Sequence, residues 1–148
     1  MLVALVMALS LATTAQAATP WGACGRSTPE SKEVTKYIAS PRFNYYLRCG
    51  TEAYGYRHIL LRHRADFERL AAGTYQNWRD VADLAMDAIS RDPDSAKPAG
   101  GNQSCLSRVI FLRNIRTNQV VHQQIIRMYV RNWDNNIATV YPASTQCP

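Results

Sequence analysis

The 148-residue chain carries none of the short signatures that announce the commoner enzyme chemistries. There is no glycine-rich phosphate loop of the NTPase kind, no Gly-x-Ser-x-Gly elbow and no His-Glu-x-x-His pair. Those absences weigh against an NTPase, a serine hydrolase of the usual sort and a zinc peptidase. No two cysteines are close in sequence and no Cys-x-x-Cys occurs, which disfavours a zinc site. Internal repeats, low-complexity tracts and an inter-domain linker are missing as well, so the length suits one domain. Histidine is scarce, with three in the whole chain.

Charge is missing from one stretch. Met1 to Ala17 contains no charged residue, carries the apolar run Leu2 to Leu9 and ends in Ala15-Gln16-Ala17. This predicts a secretory signal peptide over residues 1–17, although no Lys or Arg precedes the apolar run. The run is too short for a membrane anchor, which needs about 20 apolar residues. Residues 18–148, with a core over 28–142, are expected to form a single secreted domain with no stable membrane insertion. Four cysteines remain in it, Cys24, Cys49, Cys105 and Cys147. An even number in an exported chain reads as two disulfides with three possible connectivities. The pairing expected is Cys24 with Cys147 and Cys49 with Cys105, which would tether the His-containing helix to the start of the sheet.

The formal charge of +6 falls entirely on the mature domain. With a pI near 9.4, that favours an anionic partner such as nucleic acid, an acidic immunity protein or a cell-envelope polymer.

Thr28-Pro29-Glu30 offers an N-cap, a proline at the first helical position and an early acid, and Val34, Tyr37 and Ile38 recur at helical spacing. A first helix is therefore predicted from about 29 to 39. An aromatic connection from Arg42 to Gly50 leads to a second helix from about 52 to 70, with a bend near His63. Asn77 caps a third, whose stripe is Trp78, Val81, Ala82, Ala85, Ala88 and Ile89. Residues 91–104, rich in Asp, Pro and Gly, are predicted as a long loop. Val109 to Leu112, Val120 to Arg131 and Ile137 to Tyr141 then read as strands, the last pair joined by a turn over Trp133 to Asn136. Helices followed by an antiparallel sheet of three to four strands make an α+β fold.

Two of the three histidines stand beside two arginines in Tyr54-Gly55-Tyr56-Arg57-His58-Ile59-Leu60-Leu61-Arg62-His63. Imidazole exchanges protons near neutral pH, and guanidinium is the planar cation best shaped to hold a phosphate. His58 and Arg62 are four apart and share a helix face, whereas His63 lies about 140° round from His58 on a regular helix. Both can face one cleft only if the helix ends or bends there. Alternation along Val120 to Arg131 puts Arg127, Tyr129 and Arg131 on one face. Whether Thr139 and Tyr141 join them depends on the parity of the following turn. His122, among apolar neighbours, is expected to be a satisfied, half-buried residue.

The order of these elements, with the helix bearing His58 to His63 and the closing Thr139-Val140-Tyr141-Pro142, resembles the barnase, EndoU, colicin and RelE superfamily of small ribonucleases, and within it bacterial toxin domains. The likeness spans about residues 52–142. It implies metal-independent RNA cleavage, through attack of the ribose 2′-hydroxyl and release of a 2′,3′-cyclic phosphate; a monomer without a cofactor is expected. Carried over by motif, His58 and then His63 are the proton-transfer residues, Arg62 and Arg127 hold the phosphate, and Thr139 and Tyr141 bond to it or, for Tyr141, stack on a base. The chain departs from the pattern in its export, its disulfides and the lack of a Lys near the closing strand. A non-catalytic secreted module using its basic face, or another secreted hydrolase, are the competing classes.

Overall fold

Val34, Thr35, Tyr37 and Ile38 are β-branched or aromatic residues that favour extended backbone once a partner strand is at hand. In the computed structural model, which describes residues 24–40 and 43–148, that partner is the aromatic segment next to them. Strand β1 (Glu33–Ser40) pairs antiparallel with β2 (Phe43–Arg48), with Tyr37 opposite Tyr45. The helix expected over 29–39 is thus a strand. The expected signal peptide lies outside the described residues.

Among the described residues the protein is α+β, with three helices and two antiparallel sheets of two and four strands. The helix expected over 52–70 with a bend near His63 is two, α1 (Gly55–Arg62) and α2 (Arg64–Ala71), broken at His63. Helix α3 (Trp78–Arg91) begins where expected. The Asn77 side chain accepts from the Arg79 and Asp80 amides at 2.8 and 3.2 Å, and the Asp80 carboxylate accepts from the Asn77 amide at 3.2 Å. This reciprocal box satisfies donors that the first turn otherwise leaves unpaired. The face of α3 carrying Val81, Ala82, Ala85, Met86 and Ile89 is fully buried.

The four-stranded sheet runs β3 (Ser95–Ala99), β4 (Gln103–Arg113), β5 (Val120–Arg131), β6 (Ile137–Ala143) in that order. Part of the loop expected over 91–104 is therefore β3. It is an edge strand that buries nothing, so no hydrophobic period marks it, and at an edge Pro98 costs little. Gly101 and Asn102, both in the left-handed region at φ 70° and 54°, turn it back into β4. One face of the sheet sets Ile110, Leu112, Ile126, Met128 and Val140 against α3 and Phe67 in a continuous core. Helices α1 and α2 lie along β6, while α3 also packs on β1, so the helices do not precede the sheets but sit between the two-stranded and four-stranded ones in sequence.

The disulfides join Cys24 to Cys49 and Cys105 to Cys147, correcting the pairing expected from sequence. Cys24 lies beside the end of β2, and the segment after β6 turns back over β5 so that Cys147 meets β4, where its amide donates to the Ser107 hydroxyl at 2.9 Å. Two disulfides fit an extracellular or periplasmic location. No helix among the described residues is long and apolar enough to cross a membrane.

Candidate active site

The turn into α1 depends on two glycines in the left-handed region, Gly50 at φ 61° and Gly55 at φ 77°. A Cβ on Gly50 would sit 2.1 Å from the Tyr54 carbonyl oxygen, and one on Gly55 2.8 Å from that of Arg48, so only glycine lets the strands of this turn approach. Arg57 fastens the turn from behind. Its guanidinium donates to the carbonyls of Gly50, Gly25 and Thr28 at 2.5, 2.6 and 2.6 Å, tying α1 to the segment held by the Cys24–Cys49 bridge. The next residue is His58, whose Nδ1 lies 2.8 Å from the Glu52 carbonyl oxygen. A carbonyl can only accept, so Nδ1 carries the proton and Nε2 is left for chemistry.

His63 closes α1 and opens α2 with backbone angles φ −123° and ψ −1°, outside the helical region. That break cancels the angular offset a regular helix would impose. The His58 and His63 rings come to 5.4 Å between centroids in an edge-on arrangement. Asp66 Oδ2 stands 3.3 Å from His63 Nδ1, an acceptor that orients the ring and again leaves Nε2 available. Burial holds the His63 pKa below the ordinary imidazole value, and the charges of His58 and Arg62 push the same way. The Asp66 hydrogen bond and charge oppose them without cancelling the shift.

The strand register settles the parity left open by the sequence. Arg127 pairs with Tyr141 and Tyr129 with Thr139, so all four share the face opposite the core. Tyr141 stacks on His63 at 5.1 Å, and Tyr129 stacks on Tyr141 at 6.1 Å with planes 10° apart. Burial, together with a hydrogen bond and charge from Tyr129, raises the Tyr141 pKa, while Arg127 works against the rise. Tyr141 therefore remains an O–H donor at neutral pH. Arg127 is itself held from the other side. Its Nε donates to the Thr145 carbonyl at 2.8 Å and its Nη2 to the Gln146 carbonyl at 2.6 Å and to the Thr145 hydroxyl, in the tail pinned by the Cys105–Cys147 bridge.

His58, His63, Arg127 and Tyr141, far apart in sequence, thus form one connected cluster. Arg62 is exposed at the end of α1, its charge reaching His63. Thr139 shares the face, but its hydroxyl oxygen is enclosed and has no hydrogen-bond partner among the described residues. His122 lies elsewhere, half-buried, with Nε2 2.9 Å from the Ala72 carbonyl oxygen. The supports that sequence reasoning missed are Glu52, Asp66, Thr145 and Gln146. Asp66 was discoverable as an acid three residues after His63. The Glu52 and Gln146 contacts use backbone carbonyls and left no sequence signal. Among the described residues no three His, Cys, Asp or Glu side chains group so as to hold a metal ion. No protein-family model, curated protein or solved structure matches the chain.

Proposed function

We propose that the protein is a secreted endoribonuclease of the barnase, EndoU, colicin and RelE kind, acting as a toxin or effector and cleaving RNA through a 2′,3′-cyclic phosphate. The observation that carries this reading is the contact of two oriented imidazoles at 5.4 Å, one of them stacked on a phenol that sits across the strand pair from an arginine. Two positive charges so close repel, which disfavours protonating both rings together. A reaction that takes one proton and gives one needs one ring neutral and the other charged.

The lowered pKa of His63 suits it to the base role. Its Nε2 accepts the ribose 2′-hydroxyl proton while that oxygen attacks phosphorus. His58, acting in its protonated form, gives a proton to the departing 5′-oxygen, and the P–O5′ bond breaks. Each transfer is worth about 10²–10⁴ in rate. Tyr141 donates to a non-bridging oxygen of the crowded phosphorane, and Arg62 and Arg127 supply positive charge beside it. Thr139, its hydroxyl enclosed, supports the Tyr129–Tyr141 face.

Export would keep such an activity away from the producer's own RNA, and the basic surface would suit an acidic immunity protein where one exists. The test is incubation of the mature, oxidised protein with total RNA in EDTA. Cleavage leaving 2′,3′-cyclic phosphate ends is expected, and abolished in His58→Ala and His63→Ala. RNA left intact in EDTA and cut on adding metal would overturn the mechanism, as would full activity of His58→Ala.

A further inference from the structure

The outer face of β5 continues past the histidines. Arg131 follows Tyr129 by two residues and Arg127 by four, about 13 Å along the strand, on the same side of the sheet. Its guanidinium carbon lies 4.1 Å from the centroid of the Tyr54 ring and 5.0 Å from that of Trp133. Tyr54 is the residue immediately before α1, four ahead of His58. Trp133 sits in the turn to β6 and is 58% exposed, the aromatic face most open to solvent on this side of the molecule.

The cluster is braced. Arg131 Nη2 and Nε donate to the two oxygens of Asp134 at 2.5 and 3.3 Å, and Arg48 Nη1 stands 3.7 Å from the same carboxylate. Arg48 in turn lies 5.0 Å over the Tyr46 ring. One carboxylate facing two guanidinium groups leaves the patch positive. A fixed cation thus holds an indole that packs on nothing over most of its surface, next to a charged strand.

We infer that Tyr54, Arg131 and Trp133 form a nucleobase-stacking subsite for a nucleotide of single-stranded RNA flanking the phosphate at the histidine pair. This rests on the ribonuclease reading above for the identity of the strand. An exposed, pre-oriented indole beside a guanidinium suits a base, since every base offers a π face, and the neighbouring positive charge suits its phosphate. A duplex, with its bases stacked inside, cannot offer that face, so the subsite selects unpaired RNA.

The test is fluorescence anisotropy of the oxidised His58→Ala protein, which does not consume its probe, with a short fluorescein-labelled oligouridylate at moderate salt. Trp133→Ala, in an exposed turn, is expected to weaken binding about tenfold or more, in keeping with the loss of one stacked base, and Trp133→Phe to restore most of it. A duplex of the same length should bind weakly and be indifferent to Trp133. Unchanged affinity in Trp133→Ala, or an equal loss for duplex or polyphosphate, would overturn the subsite and leave the ribonuclease proposal standing if the wild type cuts RNA. Trp133-dependent binding by a wild-type protein that cuts no RNA would leave the subsite standing and remove the catalytic reading. Absence of both binding and cleavage removes both.

Discussion

The His63 ring lies on the Tyr141 ring with centroids 5.1 Å apart and planes 24° from parallel. This contact joins the helical half of the site to the sheet, and it also contributes to the burial that lowers the His63 pKa. A base must be neutral to act, so rate falls as pH drops through its pKa. With that pKa below the ordinary value near 6.5, the acid limb of kcat/KM is expected below pH 6.5. Arg62→Gln removes a positive charge that disfavours protonation of His63, so the acid limb should move to higher pH. It should also flatten the salt dependence of RNA binding by about one phosphate contact. A limb that stays put, or moves down, in Arg62→Gln would contradict the assignment of His63 as base.

Tyr141→Phe separates the two uses of this ring. The stack on His63 survives while the hydroxyl is lost, so fold and RNA affinity should hardly change. Turnover should fall on the order of 10²-fold, the usual cost of deleting one donor to a developing oxyanion. Tyr141→Ala should add disorder of His63, visible as a shift of its ring resonances in NMR. Equal kcat in wild type and Tyr141→Phe would show that the phenol does not touch the phosphorane.

Much of this site was legible in the sequence, and the limits of that legibility have physical causes. The alternation of β5 revealed the face of Arg127 and Tyr129 because a half-buried strand writes its two sides into a period of two. The third helix was plain from its cap and stripe. By contrast, Val34, Tyr37 and Ile38 fit helical spacing and a strand equally well. The choice was made by β2, a partner that local patterns do not see. Strand β3 buries nothing and so left no hydrophobic pattern, and the one sign of it is the hairpin-forming Gly100-Gly101-Asn102. The break at His63, expected as a bend though no proline or glycine announces it, lets both imidazoles meet. Disulfide partners depend on where the chain ends fold back, which spacing does not contain.

The Cys105–Cys147 bridge fixes the tail whose Thr145 and Gln146 carbonyls hold Arg127. Replacing both cysteines by alanine should lower stability by about 2–5 kcal/mol, measured by urea unfolding. At temperatures where circular dichroism still shows a folded protein, the freed tail should release Arg127, lowering kcat more than it raises KM. Loss of stability with kcat unchanged in the folded fraction would mean that the position of Arg127 does not depend on the tail.

Arg57 tests whether the helix entry is built for the site or merely adjoins it. Its guanidinium reaches three carbonyls of two segments, Gly50 in one and Gly25 and Thr28 in the other, a fork that a lysine ammonium cannot reproduce. Arg57→Lys keeps the charge, so any loss reports geometry. Carbonyls stripped of charged donors cost about 1–3 kcal/mol each where water cannot replace them, and Gly50 is the buried one of the three. A destabilisation of about 2–4 kcal/mol is therefore expected in urea unfolding. Because Gly50 and Glu52 belong to one turn, its loosening should also move the Glu52 carbonyl that holds His58 Nδ1. The folded fraction of Arg57→Lys should then lose turnover on RNA while Arg91→Lys, at the exposed end of α3, loses neither stability nor rate. If Arg57→Lys is destabilised but turns over normally when folded, His58 is oriented by the helix itself and the Glu52 contact is incidental.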